Sequence, residues 1–125
     1  MIDQNYCSFE YAESYVQQLI ENKFKDFQSK NIHIPKITCP KITWRPMGVR
    51  FAGYAIYGRN EIQLNTNYLT SESWQDFLNR TPIHELAHLI SYFCYCEGGH
   101  GKRWKEVCVK LGIEPPVVIT TKLQL

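Results

Sequence analysis

The chain has 125 residues, of which 44% are hydrophobic and 14% aromatic, enough for one domain with a real core. It contains no run of 18 apolar residues, and its N-terminus lacks the basic and apolar regions of a signal peptide. Its cysteines number five, an odd count, and none are spaced as a CxxC pair. Both observations argue against a disulfide framework and against a zinc ribbon. We therefore expect residues 1–125 to form one soluble, cytoplasmic domain with reduced thiols, no membrane association and no C-terminal zinc ribbon.

The net charge of +2 hides an uneven distribution of charges along the chain. No acidic residue occurs between Asp26 and Glu61. Because the residues between them carry six positive charges, the remainder of the chain is net acidic. The six cations are Lys30, Lys36, Lys41, Arg45, Arg50 and Arg59. Such a division can give a nearly neutral protein one basic face, and a basic face suits a polyanion.

The N-terminal third predicts one helix and a connector. From Ser8 to about Gln28 the apolar residues recur at steps of three and four, which is typical of an amphipathic helix. Pro35 and Pro40, with β-branched residues between them, then favour an extended connector.

Three short strands are predicted next, at residues 42–45, 51–57 and 61–65. Polar and apolar residues alternate in the third strand, as in a half-buried strand. Residues 58–60 (Gly-Arg-Asn) fit a hairpin turn between the second and third strands. We expect a small three-stranded antiparallel sheet.

Helical signals return at Ser71 or Ser73 and continue through Leu78. Thr81 fits an N-cap and Pro82 a first helical position, so a new or sharply re-initiated helix is predicted to begin there and run to about Cys94. A glycine-containing loop follows, and a last helix is predicted at residues 102–111. Gly112 is its expected left-handed terminator.

The predicted helix after Pro82 contains an HExxH motif made by His84, Glu85 and His88. Its spacing places both histidines on one helix face, one turn apart, so both imidazoles can reach a single metal ion. A catalytic zinc ion takes three protein ligands and keeps a fourth position open to water. Glu85 lies next to the first ligand, where its carboxylate can accept a proton from that water. The motif therefore predicts a zinc site with Glu85 as general base, rather than two ordinary helix histidines.

The spacing of the residues does not identify the third zinc ligand. A metzincin site is excluded, because the positions that would need glycine and histidine hold Ser91 and Cys94. Glu106, on the following helix, fits the gluzincin pattern, and His100 in the loop before that helix competes with it. A fourth protein ligand such as Cys96 would instead close the site and make the zinc structural.

The chain resembles a known family at its two motifs. The HELAH sequence of residues 84–88, followed by HGKRWK at residues 100–105, is similar to the SprT-like zinc metalloproteases, and the likeness covers about residues 40–116. The resemblance implies that His100 is the third zinc ligand. It also implies a zincin-like α+β fold with an N-terminal helix, the small sheet, the HExxH active-site helix and a C-terminal helix. An edge strand of that sheet is expected to bind extended substrate backbone.

The resemblance further implies a zinc-dependent endopeptidase with one zinc ion, acting on proteins associated with or crosslinked to DNA. A general intracellular peptidase without DNA dependence is one alternative, and a non-catalytic, zinc-stabilised nucleic-acid-binding module is another. Non-specific contacts to single- or double-stranded DNA would come from the basic residues of the strands and last helix. The candidates are Arg45, Arg50, Arg59, Lys102, Arg103 and Lys105.

Several aromatic and polar residues near these motifs have two interpretations. Trp104 has helical spacing and is predicted to belong to the core, and Trp44 is predicted to belong to the sheet core rather than to a base-stacking surface. Tyr92, Tyr95 and Arg80 lie close in sequence to the HExxH helix. Each is a candidate for stabilising an oxyanion, and the sequence does not choose among them.

Overall fold

The computed structural model describes residues 7–32 and 37–113, and this part of the chain contains three α-helices and one three-stranded sheet. The helices are α1 (Phe9–Lys30), α2 (Trp74–Tyr95) and α3 (Lys102–Lys110), and the strands are β1 (Lys41–Arg45), β2 (Gly53–Ile56) and β3 (Glu61–Asn65). The predicted α+β class is confirmed. Predictions that fall on Lys36, Pro35 and residues 114–125 lie outside the described residues.

Helix α1 follows its predicted bounds closely. Ser8 is the N-cap, and its hydroxyl accepts a hydrogen bond of 3.1 Å from the Tyr11 amide. At the other end the Asn31 side-chain amide donates to the Phe27 carbonyl at 2.8 Å. The buried face repeats at steps of three and four, and it consists of Ala12, Val16, Ile20, Phe24 and Phe27. The apolar periodicity of the sequence therefore identified the face of α1 that packs on the core.

The sheet is mixed, with the strand order β1-β3-β2. Strand β2 runs antiparallel to β3, but β1 runs parallel to it, so the prediction of an all-antiparallel sheet is wrong for β1. The reason lies in residues 46–52, which carry the chain past the end of β3 before β2 begins. The buried Asn65 side chain stabilises this connection, since it accepts from the Met47 amide at 3.0 Å and donates to the Gly48 and Phe51 carbonyls at 2.9 and 2.7 Å.

Strand β3 is the central strand and the most buried. Ile62 and Leu64 are fully buried, and the polar residues at its two ends, Glu61 and Asn65, are buried as well. The predicted turn between β2 and β3 is confirmed, because a 3-10 turn at Tyr57–Arg59 leads into Asn60 in the left-handed conformation. The alternating sequence of β3 thus belongs to an interior strand rather than to a half-buried one.

Helix α2 is continuous through Pro82, so the prediction that a new helix begins at Thr81 is wrong. Thr81 is buried within the helix and is not its N-cap, which is Ser73. An internal proline costs about 3 kcal/mol, but each fully buried Leu or Ile side chain contributes about 1.5–3 kcal/mol. Every residue from 81 to 91 is buried. Burial of this stretch therefore outweighs the local cost of the proline.

Helix α3 packs on α2 and completes the core. Trp104, Val107 and Cys108 form its buried face, and Gly112 follows with a φ of +85° as the predicted left-handed terminator. All five cysteines are free thiols. None of the helices in residues 7–32 and 37–113 combines the length and the apolar composition of a membrane-spanning helix.

Candidate functional site

Helix α2 holds three of the predicted site residues in the interior of the protein. His84, Glu85 and His88 are 1%, 1% and 2% exposed, respectively. They belong to the turn of α2 that is surrounded by core on all sides, where Leu86, Ala87 and neighbouring residues fix the backbone. The two histidines and the glutamate are therefore placed by rigid secondary structure.

His100 reaches the same place from the loop between α2 and α3. Its Nε2 atom lies 3.2 Å from the Nε2 atom of His88, and the two ring centres are 4.7 Å apart. Two imidazole nitrogens that share one tetrahedral zinc ion at about 2.0–2.1 Å are about 3.3 Å apart. The observed separation fits two ligands of one ion, and it also fits a hydrogen bond between two neutral imidazoles.

The structure brings together a pair of the predicted ligands rather than the complete set of three. His84 lies one turn before His88, and its ring centre is 5.8 Å from the ring of Trp104. Within the residues that the structure describes, no three His, Cys, Asp or Glu side chains are grouped closely enough to hold a metal ion as they stand. The donor chemistry of three imidazoles suits zinc, and His88 and His100 already converge.

Trp104 contacts all three histidines of the candidate site. Its indole N–H donates to the His84 carbonyl at 3.2 Å, its ring stacks on His88 at 5.0 Å, and it meets His100 edge-on at 4.5 Å. The prediction that it belongs to the core is confirmed, and the structure adds this contact with the histidine rings. Trp44 is half-buried and packs on the core, so its predicted place in the sheet core is also confirmed.

The carboxylate of Glu85, the residue that follows His84 in α2, is buried. Neither of its oxygens has a hydrogen-bond partner among the described residues. Burial raises the pKa of Glu85 well above the ordinary value of a glutamate. A buried carboxylate without a partner is costly, and such a group is common where a ligand or a catalytic role compensates for the cost.

The sequence did not indicate the contacts that Tyr57 makes at the site. Its hydroxyl accepts a hydrogen bond from the Gly99 backbone, and its ring stacks on Tyr92 with centres 4.4 Å apart. Burial raises the pKa of Tyr57, the Gly99 hydrogen bond opposes this rise, and the nearby Glu85 charge adds to it. Tyr57 is 42 residues from Gly99 in sequence, and only its position beside the predicted hairpin turn could have drawn attention to it.

The three residues considered for oxyanion stabilisation are engaged in other contacts. Tyr92 stacks on Tyr57, and the Tyr95 ring lies beneath the guanidinium of Arg103 at 4.9 Å. Arg80 pairs with Asp76 at 3.8 Å, one helical turn away. The structure therefore favours none of the three, and Tyr57 is the phenol that interacts electrostatically with Glu85.

The competing ligand candidates lie apart from the histidine pair. The Glu106 carboxylate faces the Arg103 guanidinium at 3.2 Å on the half-exposed side of α3. Cys96 is exposed and takes the left-handed conformation that ends α2. Of the two candidates that spacing left open for the third ligand, His100 is the one that the structure brings beside His88.

The candidate nucleic-acid contacts are all exposed, but they do not form one group. The parallel register of β1 and β3 places Arg45 beside Asn65, whereas Arg59 lies near Glu61 at the opposite end of β3. Arg59 is 3.9 Å from the Glu61 carboxylate, and Arg103 pairs with Glu106. In residues 7–32 and 37–113 no ion pair involves the other four candidates, which are Arg45, Arg50, Lys102 and Lys105.

The fold and the site define a small α+β protein with a buried histidine–glutamate helix beside a mixed sheet. The SprT-like family matches this chain over residues 12–122, and the chain belongs to that family. The resemblance inferred from the two sequence motifs is therefore confirmed.

Several proteins named Protein SprT are similar to this chain. The protein from Vibrio atlanticus (strain LGP32) is 40% identical over 74 residues, which cover 58% of this chain and 43% of that protein. The protein from Glaesserella parasuis serovar 5 (strain SH0165) is 37% identical over 83 residues, covering 65% and 52%, respectively. The chain spans about half the length of the curated relatives it matches. No solved structure matches it.

Proposed function

We propose that this chain is a zinc-dependent endopeptidase in which His84, His88 and His100 hold one zinc ion and Glu85 is the general base. The observation that carries the proposal is the 3.2 Å separation between the ring nitrogens of His88 and His100. These residues are 12 positions apart and belong to different elements, so their separation is not a consequence of helix geometry. The buried carboxylate of Glu85, on the same helix as His88, supports the same function.

When bound, zinc would polarise the scissile carbonyl and lower the pKa of a water molecule. The chain supplies the remaining functions. Glu85 would take a proton from that water on a carboxylate oxygen and deliver it to the leaving amine. Trp104 would keep the histidine rings oriented, because it contacts all three. The buried surroundings of α2 exclude bulk water, which strengthens electrostatic interactions inside the site.

Strand β2 is suited to bind an extended substrate. It is an edge strand of the sheet, and it packs against α2, which carries the candidate catalytic residues. A peptide in extended conformation can add to such an edge through backbone hydrogen bonds, largely independent of its sequence. We therefore place the substrate backbone along β2.

The proposed substrate is protein associated with or crosslinked to DNA. Membership of the SprT-like family suggests this class, and the exposed cations without acidic partners support it. Arg45 and Arg50 lie near one end of the sheet, and Lys102 and Lys105 lie on α3. Phosphate contacts from such residues give non-specific binding that weakens as salt increases.

Metal removal and restoration test the peptidase function. We expect about one zinc ion per purified chain, and we expect a chelator to abolish cleavage of an unfolded protein substrate. Added zinc should then restore cleavage. His88→Ala should lose both metal and cleavage, since it removes one of the two converging nitrogens. Cleavage at the wild-type rate by metal-free protein would contradict the proposal.

A salt titration of DNA binding tests the substrate class. Arg45→Gln with Arg50→Gln should reduce the slope of log affinity against log salt by about 0.9 per lost duplex contact, or about 0.7 for a single strand. Arg59→Gln is the matched control, because that guanidinium faces Glu61 at the opposite end of the sheet. Identical cleavage of free and DNA-bound protein, without any DNA binding at low salt, would favour a general peptidase.

A further inference from the structure

The loop that carries His100 is rich in glycine. Residues 96–101, here called the His100 loop, contain Gly98, Gly99 and Gly101, and Gly99 has a φ of +75°. Glycine allows many backbone conformations, so the sequence of the loop does not by itself hold His100 at a fixed place. Because His100 nevertheless lies beside His88, other contacts must restrict the loop.

Glu97 makes such a contact. Its Oε1 atom accepts a hydrogen bond of 2.8 Å from the backbone amide of Arg103, at the start of α3. This bond joins the two ends of the segment that contains His100 and spans six positions. The carboxylate also satisfies one of the amides that a helix start leaves without a partner, and its negative charge is favourable there. Glu97 therefore closes the His100 loop onto α3.

Gly101 leaves space for the contact between Glu97 and Arg103. A Cβ atom on Gly101 would lie 2.9 Å from Oε1 of Glu97 and 3.1 Å from its Cδ atom. The absence of a side chain at position 101 therefore lets the Glu97 carboxylate approach the backbone of the residue that follows His100. The Tyr57 hydroxyl also accepts a hydrogen bond from the Gly99 backbone. Two contacts thus hold the residues that flank His100.

We propose that Glu97 is a positioning residue that holds His100 in place for metal binding, through its hydrogen bond to the Arg103 amide. This inference rests on the proposed function, because it takes His100 as a zinc ligand. Glu97 acts on the population of loop conformations and does not touch the metal. If its loss reduces the competent population to one tenth, the apparent dissociation constant for zinc rises about tenfold.

Zinc dissociation constants, measured by competition with a chromophoric chelator, test this role. Glu97→Ala should raise the constant about tenfold or more, whereas Glu97→Gln should restore most of the affinity because its amide oxygen can still accept from Arg103. Glu106→Ala is the matched control, since Glu106 contacts the Arg103 side chain and not its amide. We expect a change of less than about twofold in that control.

A double-mutant cycle separates positioning from general damage to the fold. In a His100→Ala background, Glu97→Ala should have no further effect on zinc affinity, because the residue that it positions is gone. Visible absorption of the cobalt-substituted protein gives a second readout, and Glu97→Ala should shift the spectrum toward that of His100→Ala. Far-UV circular dichroism checks that each variant is folded.

Three results would overturn the inference while leaving the peptidase proposal intact. They are wild-type zinc affinity in Glu97→Ala, affinity in Glu97→Gln as weak as in His100→Ala, and an equal loss from Glu97→Ala in the presence and absence of His100. The second result would identify Glu97 as a metal ligand itself. A wild-type protein that binds no zinc would instead overturn both proposals.

Discussion

Helix α2 and the His100 loop contribute to the same candidate site, but they hold their residues by different means. In α2 the residues from 81 to 91 are all buried, so the positions of His84, Glu85 and His88 follow from the packing of the whole core. The His100 ring packs against the buried Trp104, but the backbone of its loop is held by a few polar contacts made by Glu97 and by the Gly99 backbone. The first group of residues is therefore as stable as the fold, whereas the position of His100 depends in part on local interactions that a single substitution can remove.

The largest effect is expected from Glu85→Gln, which tests whether the buried half carries the chemistry. The amide keeps the shape of the side chain but cannot accept the proton from water, so turnover should fall about 10²- to 10⁴-fold. Zinc content and unfolding midpoint should remain near wild type. A peptide-cleavage assay beside metal analysis provides the measurement, with Glu106→Gln on the half-exposed side of α3 as control. Unchanged turnover would exclude Glu85 as the base.

A second pair of substitutions compares the stability of the two halves. Leu86→Ala in α2 removes a fully buried side chain and should lower the free energy of unfolding by about 2–5 kcal/mol. Gly99→Ala in the His100 loop introduces a side chain at positive φ with no steric contact, and should cost about 1–2 kcal/mol.

Urea unfolding of the metal-free proteins measures both values, and zinc titration completes the comparison. Gly99→Ala should weaken zinc binding more than its small loss of stability suggests, because it changes the loop next to His100. Equal losses of stability in the two variants would show that the loop is part of the cooperative core.

Tyr57→Phe is expected to have a smaller effect. It keeps the ring that stacks on Tyr92 but removes the hydroxyl that accepts from Gly99, so the loss of stability should be about 0.5–1.5 kcal/mol. Tyr54→Phe is the matched control, because Tyr54 lies on β2, just before the turn that contains Tyr57, and packs on Phe51. The two variants are compared by thermal unfolding. A greater loss in the Tyr54 variant would contradict the assigned role of the Tyr57 hydroxyl.

The smallest effect is expected in thiol labelling, where individual cysteines should differ in how fast they react. Cys96 at the start of the His100 loop is exposed, whereas Cys108 is buried behind α2, where burial and the Glu85 charge raise its pKa to about 12. In native protein at pH 8 Cys96 should therefore react first and Cys108 only on unfolding, when all five thiols become reactive.

Mass spectrometry after timed alkylation identifies the labelled residues. The Cys96→Ser variant should lack the fast-reacting thiol and otherwise behave as wild type. Labelling of Cys108 at the rate of Cys96 would show that the core behind α2 opens readily.

The same difference between local and distant contacts explains which features could be predicted from the sequence. The geometry of His84 and His88 follows from helix periodicity alone, so the sequence was sufficient for it. The continuity of α2 through Pro82 was missed because burial from other elements outweighs the local cost of proline. The contacts of Tyr57 with Gly99 and of Glu97 with Arg103 depend on how loops meet. The one local sequence signal for the role of Glu97 was that this acidic residue precedes a glycine-rich segment and the start of a helix.

The parallel pairing of β1 with β3 also bears on the order in which the chain folds. Each residue of β1 pairs with a residue of β3 that is 20 positions later, whereas β2 and β3 pair across separations of only 5 to 11 positions. Closing a longer loop costs more entropy and slows the formation of a contact. We therefore expect the β2–β3 hairpin to form early and β1 to join it late. Destabilising substitutions in β1 should then mainly accelerate unfolding, while equivalent substitutions in the hairpin should slow folding.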